Sequence, residues 1–179
     1  MAYSNERILV DDARQVRRTK YPLWSFFVVP LVALIVQVYL PQFQTLQFIR
    51  YVELPLLVTI YFALMRRSQI RGLGIGMVLG LAQDALFFQR IGMYGICKTL
   101  VGYLSASIGM QFDVEHPLVR LVLCFVFYQF HQFLYWVLQR ALLDQPVVLD
   151  METQLILGAI NSLIGVALFH FLDKFRTRE

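Results

Sequence analysis

Charge is scarce in this chain. Only 16% of its 179 residues are Asp, Glu, Lys or Arg, where an ordinary soluble domain has roughly a quarter. Cysteine is nearly missing as well. Cys97 and Cys124 both fall inside apolar runs, so a disulfide framework is not expected and both read as small packing residues. The three histidines, His116, His131 and His170, lie on separate segments without ligand spacing, and no metal centre is expected. Asp113-x-Glu115-His116 is read as a solvated acidic turn rather than a cation site. H-E-x-x-H, G-x-S-x-G and phosphate-loop patterns are all lacking, so neither an enzyme nor a cofactor is expected. Short alternating strands are missing too, which removes a membrane barrel. No DNA- or RNA-binding motif accompanies the net charge of +4, and nucleic acid is not an expected partner.

What remains is apolar sequence. Hydrophobic residues make up 58% of the chain and its mean hydropathy is +0.59. Six runs approach or reach the ~17–25 residues that cross a bilayer as a helix. They lie at about 23–40, 47–65, 70–88, 91–110, 117–139 and 152–172. Pro30 is an expected kink in the first, and Pro117 opens the fifth at a position helices favour for proline. The expected fold is all-α, an integral membrane bundle of six transmembrane helices. Residues 1–22 form a basic tail, 23–172 the membrane domain and 173–179 a second tail. The first 22 residues are polar and the first apolar run is long enough to span, so no cleavable signal peptide is expected. Ile8-Leu9-Val10 lies beside basic residues, and is either a membrane-surface contact or part of a solvated tail. Pro146-Val147-Val148-Leu149 forms an apolar loop tip, read as a partner contact, a membrane-surface contact or neither.

Basic residues set the expected orientation. With the N-terminus in the cytoplasm, twelve Lys and Arg fall on the inside, and Arg50, Arg90 and Arg140 on the outside. That bias places both termini in the cytoplasm.

The chemistry gathers in residues 70–103. Gly72, Gly76 and Gly80 recur every four residues and the next step is Asp84. Such a ridge lets another helix backbone come close, and internal packing is favoured over packing against a second subunit. The facing arm carries Lys98 between Gly95 and Gly102. An ionisable residue in a membrane helix costs roughly 2.5–3.5 kcal/mol on insertion scales and needs a partner. Depths counted from the span ends put Asp84 roughly 6 Å and Lys98 roughly 10 Å from the outer surface, so an Asp84–Lys98 ion pair is expected. Glu53, Gln129, His131 and Gln132 fall at comparable depths. They form either a buried polar network or the lining of a small cavity, the network being favoured. Asn161 in the sixth run is an expected interhelical hydrogen-bonding residue.

These residues resemble a known family. Leu54–Leu64, then Gly72, Gly76, Gly80-Leu81-Ala82-Gln83-Asp84, Gly92 and Thr99-Leu100-Val101-Gly102-Tyr103-Leu104 look like the rod shape-determining protein MreD. The resemblance covers about 50 residues well and is silent on the fifth and sixth runs. It implies a non-enzymatic subunit of the bacterial cytoplasmic (inner) membrane, working in cell elongation. The partners it implies are MreC and, through it, MreB, RodA and a class B penicillin-binding protein, with membrane lipid around them. The MreD fold is also similar to the substrate-binding components of energy-coupling-factor vitamin transporters, which supply the competing reading. Their Ala-x-x-x-Ala docking motif is missing, since Val29 and Gln37 flank Ala33 at that spacing. A weaker third reading is a small membrane enzyme or proton-coupled carrier built on Asp84 and Lys98.

Overall fold

The run from Leu54 to Arg66 has no charge before its last residue, and a helix that is apolar on every side must be enclosed. The computed structural model describes residues 24–39, 51–87, 92–112, 114, 116–143 and 150–174. Within them lie six helices: α1 (Ser25–Tyr39), α2 (Leu54–Arg66), α3 (Gln69–Leu86), α4 (Met93–Gln111), α5 (Pro117–Leu143) and α6 (Met151–Asp173). No strand occurs among the described residues. The helices sit at the six apolar runs. The basic tail 1–22, Arg50, Arg90, Asp113, Glu115 and the loop tip 146–149 lie outside the described residues.

α2 is the central post. Every residue from Pro55 to Met65 is buried. The other helices all touch it, and they touch one another in the order α1, α3, α4, α5, α6. Five helices therefore wrap one. The core is built on Leu56, Leu57, Ile60, Tyr61, Phe62 and Leu64, with Phe169 of α6 and Cys124 of α5 packed against them. Both cysteines are free and buried.

Length and apolarity single out two helices. Pro117–Leu142 and Met151–Asp173 are long and apolar enough to cross a membrane, while α1 and α2 are shorter apolar helices. Among the described residues the six expected helices are present, and two of them meet the length and apolarity of a span. α2 has 13 residues, about 20 Å at ~1.5 Å per residue. It starts at Leu54 rather than near 47, so Glu53 is its N-cap and not a residue inside it. α3 and α4 carry Asp84 and Lys98, but both side chains are fully buried within the protein.

The tightest contact joins α3 to α4. A methyl group added at Gly72 would strike the carbonyl of Gly102, one at Gly76 the carbonyl of Lys98, and one at Gly80 the carbonyl of Tyr94. Each step of four along α3 matches a step of four back along α4, the pattern of an antiparallel pair in backbone contact. Gly102 returns the contact on Gly72, and a methyl at Gly95 would lie 2.8 Å from Leu81 Cδ2. Gly109 lets the other end of α4 approach the Leu64 carbonyl of α2. Local signals finish the helices. Asp150 accepts the N–H of Thr153 at the start of α6. The Thr153 hydroxyl also donates to Asp150, and these bonds hold its carboxyl below the ordinary carboxylate range.

Gly76→Ala is expected to force α3 and α4 apart and lower the unfolding free energy in detergent by about 1–3 kcal/mol, as overpacking against an unyielding backbone does. Gly74, with open space around it, should tolerate alanine and gain up to about 1 kcal/mol from helix propensity. Equal behaviour of the two variants would contradict this packing.

Candidate functional site

Polar side chains from α1, α4, α5 and α6 meet around the start of α2. Helix starts leave backbone N–H groups without intrahelical partners, and here other helices supply the acceptors. Asn161 of α6 accepts the Glu53 N–H at 2.8 Å through Oδ1 and donates to the Tyr51 carbonyl at 2.9 Å. Gln37 of α1 accepts the Leu54 N–H at 3.1 Å. Neither side chain needs to be charged to do this, and both are buried.

The Glu53 carboxylate takes the charge. Lys98 of α4, fully buried, donates to Glu53 Oε2 at 3.4 Å. Its ammonium also stands 4.5 Å from the centre of the Tyr94 ring, a cation–π contact. Tyr94 in turn stacks on His131 at 5.8 Å and on Tyr135 at 4.8 Å, both from α5. His131 is fully buried, and neither ring nitrogen has a hydrogen-bond partner. It serves this site as an aromatic plate.

Asp84 does something different. Its two carboxylate oxygens accept the N–H groups of Gly92 at 2.8 Å, Tyr94 at 3.1 Å and Gly95 at 3.1 Å. It is a charged cap on the first turn of α4, where a carboxylate meets unsatisfied donors and the positive end of the helix dipole. Gly92 has φ +105, a left-handed backbone that favours glycine.

The expected Asp84–Lys98 ion pair is thus replaced by two separate arrangements. The physical reason is register. The α3–α4 packing brings the Asp84 carboxylate to the free N–H groups in the first turn of α4, while the Lys98 ammonium reaches Glu53 at the start of α2. Depths counted from span ends do not say which donors a carboxylate meets. Gln129 and Gln132 also depart from the expected group. Gln129 donates to the Gln154 carbonyl of α6 at 2.9 Å, and Gln132 to the Tyr128 hydroxyl of its own helix at 3.0 Å. Gly158 makes room for the Gln129 amide on α6.

Several participants had no sequence signal strong enough to single them out. Tyr94 and Tyr135 look like interface aromatics, and Gln37 like a helix-end polar residue. A second polar tie was also missed, at the opposite end of α2. Arg120 of α5 bonds Asp173 of α6 at 2.6 Å and the Val114 carbonyl at 2.8 Å, and the Tyr61 hydroxyl donates to Asp173 at 2.9 Å. In the sequence Arg120 is only one of the twelve basic residues assigned to the inside. Its position one turn into an apolar helix was the available clue. Among the described residues no group of His, Cys, Asp and Glu is arranged to hold a metal ion.

The profile of the rod shape-determining protein MreD matches residues 17–175. This chain belongs to the MreD family. The match runs through all six helices, including α5 and α6, where the motif resemblance was silent. MreD-family proteins are membrane proteins of rod-shape determination, and the apolar lengths of α5 and α6 agree with that. No curated protein and no solved structure matches the chain.

Two outcomes check the site. Glu53→Gln or Lys98→Met alone should destabilise the protein by about 3–5 kcal/mol, because each strands a buried charge. The double variant should recover most of that loss in a chemical-unfolding measurement. Additive losses would contradict the pair. His131→Phe keeps the stacked ring and removes two unpartnered nitrogens, so stability should hold or rise by about 1 kcal/mol. A clear loss of stability would show that the imidazole is bonded.

Proposed function

We propose that this chain is a multi-pass scaffold subunit of the bacterial cytoplasmic (inner) membrane. In this reading six helices span, both termini lie in the cytoplasm, and the protein binds MreC. Through MreC it helps couple peptidoglycan synthesis, by RodA and a class B penicillin-binding protein, to the MreB cytoskeleton. The observation that carries the reading is the family match along residues 17–175.

The geometry supports it. Glu53, Lys98 and Asp84 are each engaged in joining one helix to another. Arg120 and Asp173 do the same at the far end. Chemistry on a substrate would need some of these groups released, whereas a scaffold needs them held. Apolar side chains cover the outer faces, among them Phe27 and Leu31 on α1, Val126 and Phe133 on α5 and Leu163 on α6. Such surfaces suit lipid and partner helices. The mechanism is assembly: a rigid bundle offers a fixed helix face and short outer loops to a partner that reaches the wall synthases.

Co-expression with a single-span coiled-coil MreC should give a complex that survives detergent purification and size-exclusion chromatography. A chain that purifies alone and gains thermal stability from a vitamin-type solute would overturn the scaffold in favour of a transporter component.

A further inference from the structure

The turn between α2 and α3 holds an arginine where the backbone favours glycine. Arg67 has φ 47 and ψ 40, and no other non-glycine residue among those described has a positive φ. Four residues on, Arg71 is exposed. Between them stands Ile70, 86% exposed, more than any other large hydrophobic residue described. The start of α3 is held in place, since Gln69 donates to the Ser107 hydroxyl of α4 at 2.9 Å. Ile70 and Arg71 are therefore presented from an anchored turn. Neither Arg67 nor Arg71 has an ion-pair partner among the described residues. Glu53 and Asp84, the nearest acidic residues in sequence, are engaged at the other ends of α2 and α3.

An exposed apolar side chain flanked in sequence by two arginines, neither ion-paired among the described residues, suits one environment. It is the boundary where acyl chains meet phosphate headgroups, with the isoleucine inserted and the arginines on the phosphates. We propose that the α2–α3 turn docks an anionic phospholipid, its headgroup held by Arg67 and Arg71 around an inserted Ile70. Free phosphate would satisfy the arginines and leave Ile70 in water, so the lipid is the occupant that covers the whole surface. The inference rests on the membrane placement proposed above, with this turn on the cytoplasmic side.

The test uses the full chain in detergent and native mass spectrometry, with phosphatidylglycerol competing against phosphatidylcholine. The wild type should retain phosphatidylglycerol preferentially, and inorganic phosphate should not displace it. Arg67→Gly/Arg71→Gln should lower that preference by about fivefold for each arginine removed, with an unchanged melting temperature, because glycine accepts the left-handed backbone. Ile70→Ser should weaken lipid retention with the charges intact. An unchanged lipid preference in a folded, membrane-inserted double variant would overturn this proposal alone. So would displacement of the lipid by phosphate. A chain that stays soluble without detergent and fails to enter bilayers would overturn the membrane placement together with it.

Discussion

Gly72, Gly76 and Gly80 stand against the backbone of α4 with no side chain between, and the remaining arrangement depends on that approach. Glycine carries a helix cost of about 1 kcal/mol relative to alanine, so the four in α3 weaken it in isolation. Close backbone contact offsets this through packing that no larger residue permits. The contact also fixes register. Once Gly76 faces the Lys98 carbonyl and Gly80 the Tyr94 carbonyl, the next step along α3 brings Asp84 to the start of α4. The carboxylate then meets three N–H groups. The glycines and the aspartate are one device with a four-residue period.

With Asp84 taken up by these N–H groups, Lys98 pairs with the start of α2. There it meets Glu53, the residue that opens the most buried helix in the molecule. α2 is too short and too apolar to organise its own ends. Its N-terminal donors are taken up by Asn161 and Gln37, its N-cap carboxylate by Lys98, and its far half by Tyr61 on Asp173. Outer helices thus tie both ends of the central helix through polar groups, while apolar packing fills the length between. Buried ion pairs contribute little net stability over apolar substitutes. Their value here is positional, because each charge specifies which helix end lies beside which. That suits a subunit whose proposed task is to hold a shape for partners.

Much of this was legible in the sequence, and the part that was not has a common cause. Helix number and position followed from apolar runs bounded by polar residues. The Gly-x-x-x-Gly ridge pointed to α3, and charges in apolar surroundings pointed to Asp84, Lys98 and Glu53. Pairing was misread because it depends on register between helices, and depth counted from span ends carries an error of several residues, about one helical turn or more. One turn separates partners from strangers. Gln129 and Gln132 failed similarly, since a position near the middle of α5 does not say whether a side chain faces α4 or α6. Tyr94 was hidden because an aromatic near a helix end has many ordinary uses. Arg120 and Asp173 were hidden because each lies near a helix end, where charges are common.

The coupling of register to the Asp84 cap is open to direct measurement. A 15N-glycine-labelled chain in lipid nanodiscs reports amide exchange at Gly92 and Gly95, two of the donors to Asp84. In Asp84→Ala both amides should exchange much faster than in the wild type, while Gly158 and Gly165 on α6 keep their protection. Unchanged exchange at Gly92 and Gly95 would mean that Asp84 does not cap α4, and would contradict the register from which the rest of the arrangement follows.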